Sequence, residues 1–195
     1  QTFLADFHGY LHAGAFSGYD ALYLPTPRAG VAPTIEVACN AHARRKFHDA
    51  KGSDALRAHQ ALAYYGQLYD LERAATANEF DDAQRLQMRQ DLAVPILDKF
   101  ATWLTAQKAD VLPKSPLAQA VAYARNHWTA LTRYTEDGRL KIDNNGAEQA
   151  LRPIVLGRKN WLHTGSEAAA HRAAVLCSLV QTCKNLGVEP FAYLR

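Results

Sequence analysis

Residues 143 to 166 read DNNGAEQALRPIVLGRKNWLHTGS, setting two carboxylates (Asp143 and Glu148) beside three cations (Arg152, Arg158 and Lys159) and the indole of Trp161. Guanidinium, ammonium and indole groups together suit phosphates and unstacked bases. A plainer reading stays open at the same residues. A carboxylate in the first turn of a helix is stabilised by the backbone dipole, and the later stretch also reads as a loop pinned by a buried Trp161 with solvated cations. Asn144 or Asn145 is suited to cap the helix that carries Glu148, and Pro153 is expected to end it.

A second cluster is Cys39-Asn40-Ala41-His42, followed by Arg44, Arg45 and Lys46. Cys-x-x-His resembles half of a zinc site, but the other candidates, Cys177, Cys183, His163 and His171, show no paired finger spacing, so zinc is not expected. Three consecutive cations cannot share one helix face. One or two of them reach a common phosphate, or all are solvated; both readings stand for Arg44 and Arg45.

The elements that must position these groups are short strands followed by a long helical stretch. Gly9–Ala13 and Thr34–Cys39 are candidate strands, the second with apolar residues at Ile35 and Val37, and Tyr19–Tyr23 reads as one or two helical turns before Pro25 and Pro27 break it. Helices are expected over Ala41–Ala50, then from a cap at Ser53 with Leu62, Tyr65 and Leu68 or Tyr69 on one face. A third runs from about Phe80 to Lys108, with Leu92, Ile96, Phe100 and Leu104 as its stripe and a break or kink at Pro95. Ser115-Pro116 signals the next start, with Leu117, Val121, Ala124, Trp128 and Leu131 as its apolar stripe, and Asp137-Gly138 a turn. Trp103 and Trp128 read as packing residues. The last helix, Glu167–Leu186, places Ala170, Ala173 or Ala174, Cys177, Val180 and Cys183 on one face, with Gly187 to end it.

Composition sets outer bounds. A chain of 195 residues that is 48% hydrophobic can bury one core plus an insertion. A formal charge of +3 permits nucleic-acid binding without requiring it. Cys39, Cys177 and Cys183 make an odd count, which argues against a disulfide framework and for a reducing compartment. Asp6 and His8 interrupt any signal-peptide pattern, and no apolar run approaches the roughly 18 residues of a membrane span. A soluble, cytoplasmic protein without membrane association is expected.

Four segments carry a resemblance. DNNGAEQALRPIVLGRKNWLHTGSE at 143–167 and CSLVQTCKNLGVEPFAYLR at 177–195 resemble the C-terminal signature of the insertion-sequence sixty-six transposase family; CNAHARRKFHDA at 39–50 and FHGYLHAGAFSGYDALY at 7–23 resemble its earlier motifs, in the same order. The resemblance implies a DDE transposase: a ribonuclease-H-like catalytic domain whose three carboxylates hold two Mg²⁺ (or Mn²⁺) ions for strand cleavage and transfer. Such ions lie roughly 3.5–4 Å apart, and as hard cations they take oxygen ligands. By the resemblance Glu148 is the third carboxylate and metal ligand, and Arg44, Arg45, Arg152, Arg158, Lys159 and Trp161 are candidates for holding the DNA of transposon ends. A homo-oligomeric synaptic complex would bring two ends together.

The second aspartate belongs in a segment resembling LQADAYAGYDALY, and here Gly14 stands in its place. Asp20 and Asp6 are six residues later and eight earlier, too far along the chain to substitute directly. The first aspartate is expected upstream of this segment. Several DDE transposase families have a Cys-x-x-His element after the next strand, so Cys39 and His42 are expected to buttress the site. The resulting expectation is an α/β, predominantly helical chain: a partial ribonuclease-H-like fold with residues 1–52 and 139–195 flanking an α-helical insertion at 53–138. Alone it would lack strand-transfer activity and need no cofactor. The alternative is a catalytically dead DNA-binding or interaction remnant of a mobile element.

Overall fold

The computed structural model describes residues 4, 7–15, 17–23, 33–161 and 165–195, apart from the side chains of 108, 109 and 161. The expectations at Asp6, Pro25, Pro27 and His163, and any role of the Trp161 side chain, fall outside the described residues. The chain forms two compact units, residues 1–144 and residues 145–195. It is mostly helical, with one small parallel sheet among the described residues. No helix among them is long and apolar enough to cross a membrane.

In the first unit, β1 (Gly9–His12) pairs in parallel with β2 (Thr34–Val37), from Gly9 opposite Thr34 to His12 opposite Val37. Parallel strands need a crossover, and the connection contains a one-turn helix, α1 (Asp20–Tyr23). β2 stops two residues before the expected Cys39, because the Ala38 amide turns to the Ala130 carbonyl at 2.9 Å. The Arg133 guanidinium also donates to the Glu36 carbonyl, so the outer edge of β2 is covered. Such cover keeps an edge from pairing with other chains.

Helix α2 (Asn40–Asp49) follows at once and buries Asn40, Ala43 and Phe47 along one face. Helix α3 (Ala55–Ala77) is capped by Asp54, which accepts from the Arg57 amide at 3.0 Å, and not by the expected Ser53. The reason is backbone conformation. A cap needs extended geometry, which Asp54 has (φ −154, ψ 92), whereas Ser53 is helical (φ −95, ψ −42).

Helices α4 (Asp82–Met88) and α5 (Val94–Asp110) are joined by a π-helical turn, Arg89–Ala93, just before Pro95. The extra residue of such a turn shifts the helical phase. The buried stripe therefore runs through Ala93, Leu97, Phe100 and Leu104, leaving Leu92 exposed and Ile96 half-buried. It also turns Arg89 fully inward. Helix α6 (Pro116–Asn126) starts as expected, Ser115 accepting from the Ala118 amide at 3.1 Å. The stripe continues into α7 (Trp128–Thr132).

Phe100 sits at the centre of the core, 4.8 Å from the Tyr64 ring, 5.2 Å from Tyr65 and 5.7 Å from Trp128. Trp103 and Trp128 pack against this core as half-buried residues, as their spacing predicted. Gly138 is needed for close approach, beyond its place in a turn: a Cβ there would lie 1.8 Å from the Asp82 carbonyl oxygen.

The second unit consists of α8 (Asn145–Trp161), α9 (Glu167–Asn185) and α10 (Pro190–Leu194). Pro153 does not end α8; it lies inside it. Proline removes one amide donor and crowds the carbonyl four residues back, and the good helix formers ahead of it, Ala147 to Arg152, offset that local loss. Arg158 and Lys159 consequently stand on the last turn of a helix, where cations suit the dipole, rather than in a loop. In α9, Ala170, Ala173, Cys177 and Val180 are half-buried and Cys183 buried, and Gly187 follows at φ +68.

Candidate functional site

Ligands of parallel sheets gather at the carboxyl ends of the strands, and the first unit assembles its polar groups there. After β1 the chain passes through Gly14 at φ +59 and Ala15 at φ 56. After β2 come Cys39, at the cap position of α2, and His42 in its first turn. The segment 142–144 is drawn in by Asn40, whose amide and side chain both donate to the Ile142 carbonyl at 3.1 Å. The Asn40 side chain also reaches the Leu131 carbonyl at 2.9 Å. The Asn144 amide points at the Cys39 sulfur, 3.5 Å away.

Gly14 lies against this group. A Cβ built there would stand 3.5 Å from Cε1 and Nδ1 of His42 and 3.6 Å from Nδ2 of Asn144. These are ordinary contact distances, so the backbone leaves a cradle that a small side chain would fill. The structure thus brings together Gly14, Cys39 and His42, and adds groups that the sequence reading had assigned elsewhere. Tyr69, read as a core residue of α3, donates its hydroxyl to Asp143 at 2.9 Å. Asn144, read as a helix cap, holds its Oδ1 buried with no hydrogen-bond partner among the described residues. The Nε2 of His12 is in the same position.

Electrostatics follow burial. Desolvation pushes the Cys39 thiol up, as it does the Tyr69 hydroxyl, which the neighbouring Asp143 carboxylate raises further. His12 is shifted down by burial, against smaller opposing effects of the Ala38 backbone and Asp143. A histidine with a depressed folded pKa binds fewer protons folded than unfolded, so its contribution is complete above the ordinary value of 6.5 and shrinks below it. Urea unfolding of the chain is therefore expected to show stability falling from pH 7 to pH 5, with His12→Gln flattening part of that slope. An unchanged slope in the variant would remove His12 as its source.

The three consecutive cations of α2 fan out. Arg44 and Arg45 are exposed, and the Arg44 charge works against the rise at Tyr69. Lys46 places its ammonium 4.7 Å from the centre of the Tyr123 ring, a cation–π contact of about 0.5–1 kcal/mol at an exposed site. In the second unit, Glu148 stands on the first turn of α8. With Asn145, Gln149, Arg152 and Val155 it lines an open depression of about 310 Å³ along one helix face. Arg152, Arg158 and Lys159 are exposed.

Among the described residues no three His, Cys, Asp or Glu side chains form a set that could hold a metal ion. The donors gathered among the described residues therefore do not fit a two-metal centre.

The profile of the family described as "Transposase IS66 family" matches residues 1–172. The uncharacterized protein y4hP of Sinorhizobium fredii (strain NBRC 101917 / NGR234) is 31% identical, the match covering 100% of this chain and 37% of that protein. Protein y4jD of the same strain is 31% identical over 98% of this chain and 37% of its own length. Protein y4qI, also from that strain, is 35% identical over 98% of this chain and 35% of its own length. The chain spans little more than a third of these relatives. No solved structure matches it.

Proposed function

Since this chain belongs to the IS66 transposase family, we propose that it is part of a DDE transposase catalytic domain, in which Glu148 is the third carboxylate and Gly14 stands where the second is required. The observation that carries the reading is the place of Gly14. It follows the carboxyl end of β1, with a cradle formed by His42 and Asn144 around the position of an absent Cβ.

In this reading, residues 1–52 and 139–195 belong to a ribonuclease-H-like domain interrupted by the helical insertion 53–138. Support comes from the parallel pair with one covered edge, which suits the outer strands of a larger sheet. The greater length of the relatives leaves room for an upstream segment supplying the first aspartate. In the intact enzyme Mg²⁺ or Mn²⁺ would supply the charge stabilisation for phosphodiester cleavage; among the described residues no donor set is gathered to hold it. What its residues can do is bind DNA. Arg44 and Arg45 on α2, and Arg152, Arg158 and Lys159 on α8, are exposed cations suited to phosphates, and Trp161 is suited to stacking. Their partner would be the transposon end, held by a multimer that pairs two ends.

The deciding experiment is metal-dependent nicking of a labelled transposon-end duplex by a version lengthened upstream and carrying Gly14→Asp. Activity is expected, and Glu148→Ala should lower it by more than about 100-fold, beyond the loss typical for an outer-shell partner. Nicking that survives Glu148→Ala would defeat the assignment.

The glycine itself favours a second reading, a remnant that binds DNA without cutting it. That remnant would bind duplex DNA with an affinity that falls steeply with salt, by about 0.9 log units per log unit of salt for each phosphate neutralised. A flat salt dependence would exclude it.

A further inference from the structure

The segment from Tyr134 to Asn144 contains little regular structure, yet it is anchored almost continuously. Arg89 donates to the carbonyls of Tyr134 at 2.8 Å, Asp137 at 3.0 Å and Leu140 at 2.9 Å. Gln90 donates to the Thr135 carbonyl at 2.7 Å, and Asn40 to that of Ile142 at 3.1 Å. These anchors grip backbone oxygens, which any residue would offer. The Tyr69 hydroxyl is different: it grips the side chain of Asp143, from a helix 74 residues earlier in the chain. The residue after Asn144 begins α8, and Glu148 follows within its first turn.

We propose that Tyr69, through its hydrogen bond to Asp143, fixes the backbone at the point from which the chain departs into α8, so that the helical insertion holds the residues that lead to Glu148. The inference rests on the reading of Glu148 as a working carboxylate. Tyr69 is a positioning residue and touches no substrate. A simpler role for Asp143, an anion near a helix start, needs no hydroxyl from α3 and predicts no coupling between the two residues.

The test is amide hydrogen exchange on the 195-residue chain. A hydrogen bond to a charged group is worth about 1.5–3 kcal/mol, so Tyr69→Phe should raise exchange at residues 141–147 by roughly tenfold or more. Amides in the cores of α3, α5 and α6 should be unaffected. Asp143→Ala should do the same, Asp143→Asn should retain part of the protection because it keeps an acceptor, and the double variant Tyr69→Phe with Asp143→Ala should be no worse than either single one. Unchanged exchange in Tyr69→Phe, or additive effects in the double variant, would overturn the proposal. In the lengthened Gly14→Asp protein, Tyr69→Phe should slow nicking roughly tenfold; equal nicking despite faster exchange would also overturn it. If no lengthened version nicks with Tyr69 in place, the reading of Glu148 fails, while the exchange pattern still decides whether Tyr69 sets the departure point.

Discussion

Arg89→Ala is expected to cost the first unit about 3–5 kcal/mol, the usual penalty for breaking a buried ion pair by removing one partner. The side chain is 0% exposed. Its Nε and Nη2 meet the two carboxylate oxygens of Glu72 at 2.8 and 2.9 Å. The remaining donors hold the carbonyls of Tyr134, Asp137 and Leu140. Alanine would leave those carbonyls without their donor, and Glu72 with Arg85, at 3.1 Å, as its remaining cationic partner. Domains are stable by only about 5–15 kcal/mol in total, so the loss should appear as a large drop in the urea midpoint and a melting temperature lower by roughly 10 °C. Arg89→Lys should recover less than half of it, because an ammonium cannot reproduce the planar fork that reaches a carboxylate and three carbonyls at once. A loss below about 1 kcal/mol for Arg89→Ala would show that the network contributes little net stability, as some buried pairs do.

Nothing in the sequence around Arg89 announces this role. QRLQMRQDLA reads as the solvated side of a helix, and only the π-helical turn before Pro95 rotates the arginine inward. The same turn moved the stripe from Leu92 to Ala93. What was legible rested on local chemistry: β2 by the spacing of Ile35 and Val37, the start of α6 by Ser115-Pro116, the end of α9 by Gly187. Pro153 misled because proline weakens a helix without always ending it. Ser53 misled because capping is decided by which of two adjacent polar residues adopts an extended backbone. The meeting of Gly14 with Cys39 and His42 fits two short segments at the ends of paired strands. The Tyr69–Asp143 bond had no sequence signal, since a pairing across 74 residues leaves no period to read.

Gly14→Asp is expected to turn the lengthened protein from silent to active in nicking, while Gly14→Ala stays silent and Asp20→Ala changes nothing. The backbone sets the cost. At φ +59 any side chain is strained, but aspartate tolerates this region better than most residues because its short polar side chain bonds locally. A penalty of about 1–2 kcal/mol follows, measurable as a modest fall in the urea midpoint that Gly14→Ala should match or exceed. Space does not add to it, since the nearest atoms, on His42 and Asn144, lie at ordinary contact distance from the new Cβ. The two substitutions therefore share the strain and the added Cβ but differ in the carboxylate, and a difference in nicking between them belongs to that group. Asp20 opens α1, six residues further along and exposed, where a carboxylate has no reason to act at the Gly14 cradle. Nicking that proceeds with Gly14 in place and disappears on Asp20→Ala would move the second carboxylate to α1 and leave the cradle beside His42 without its proposed purpose.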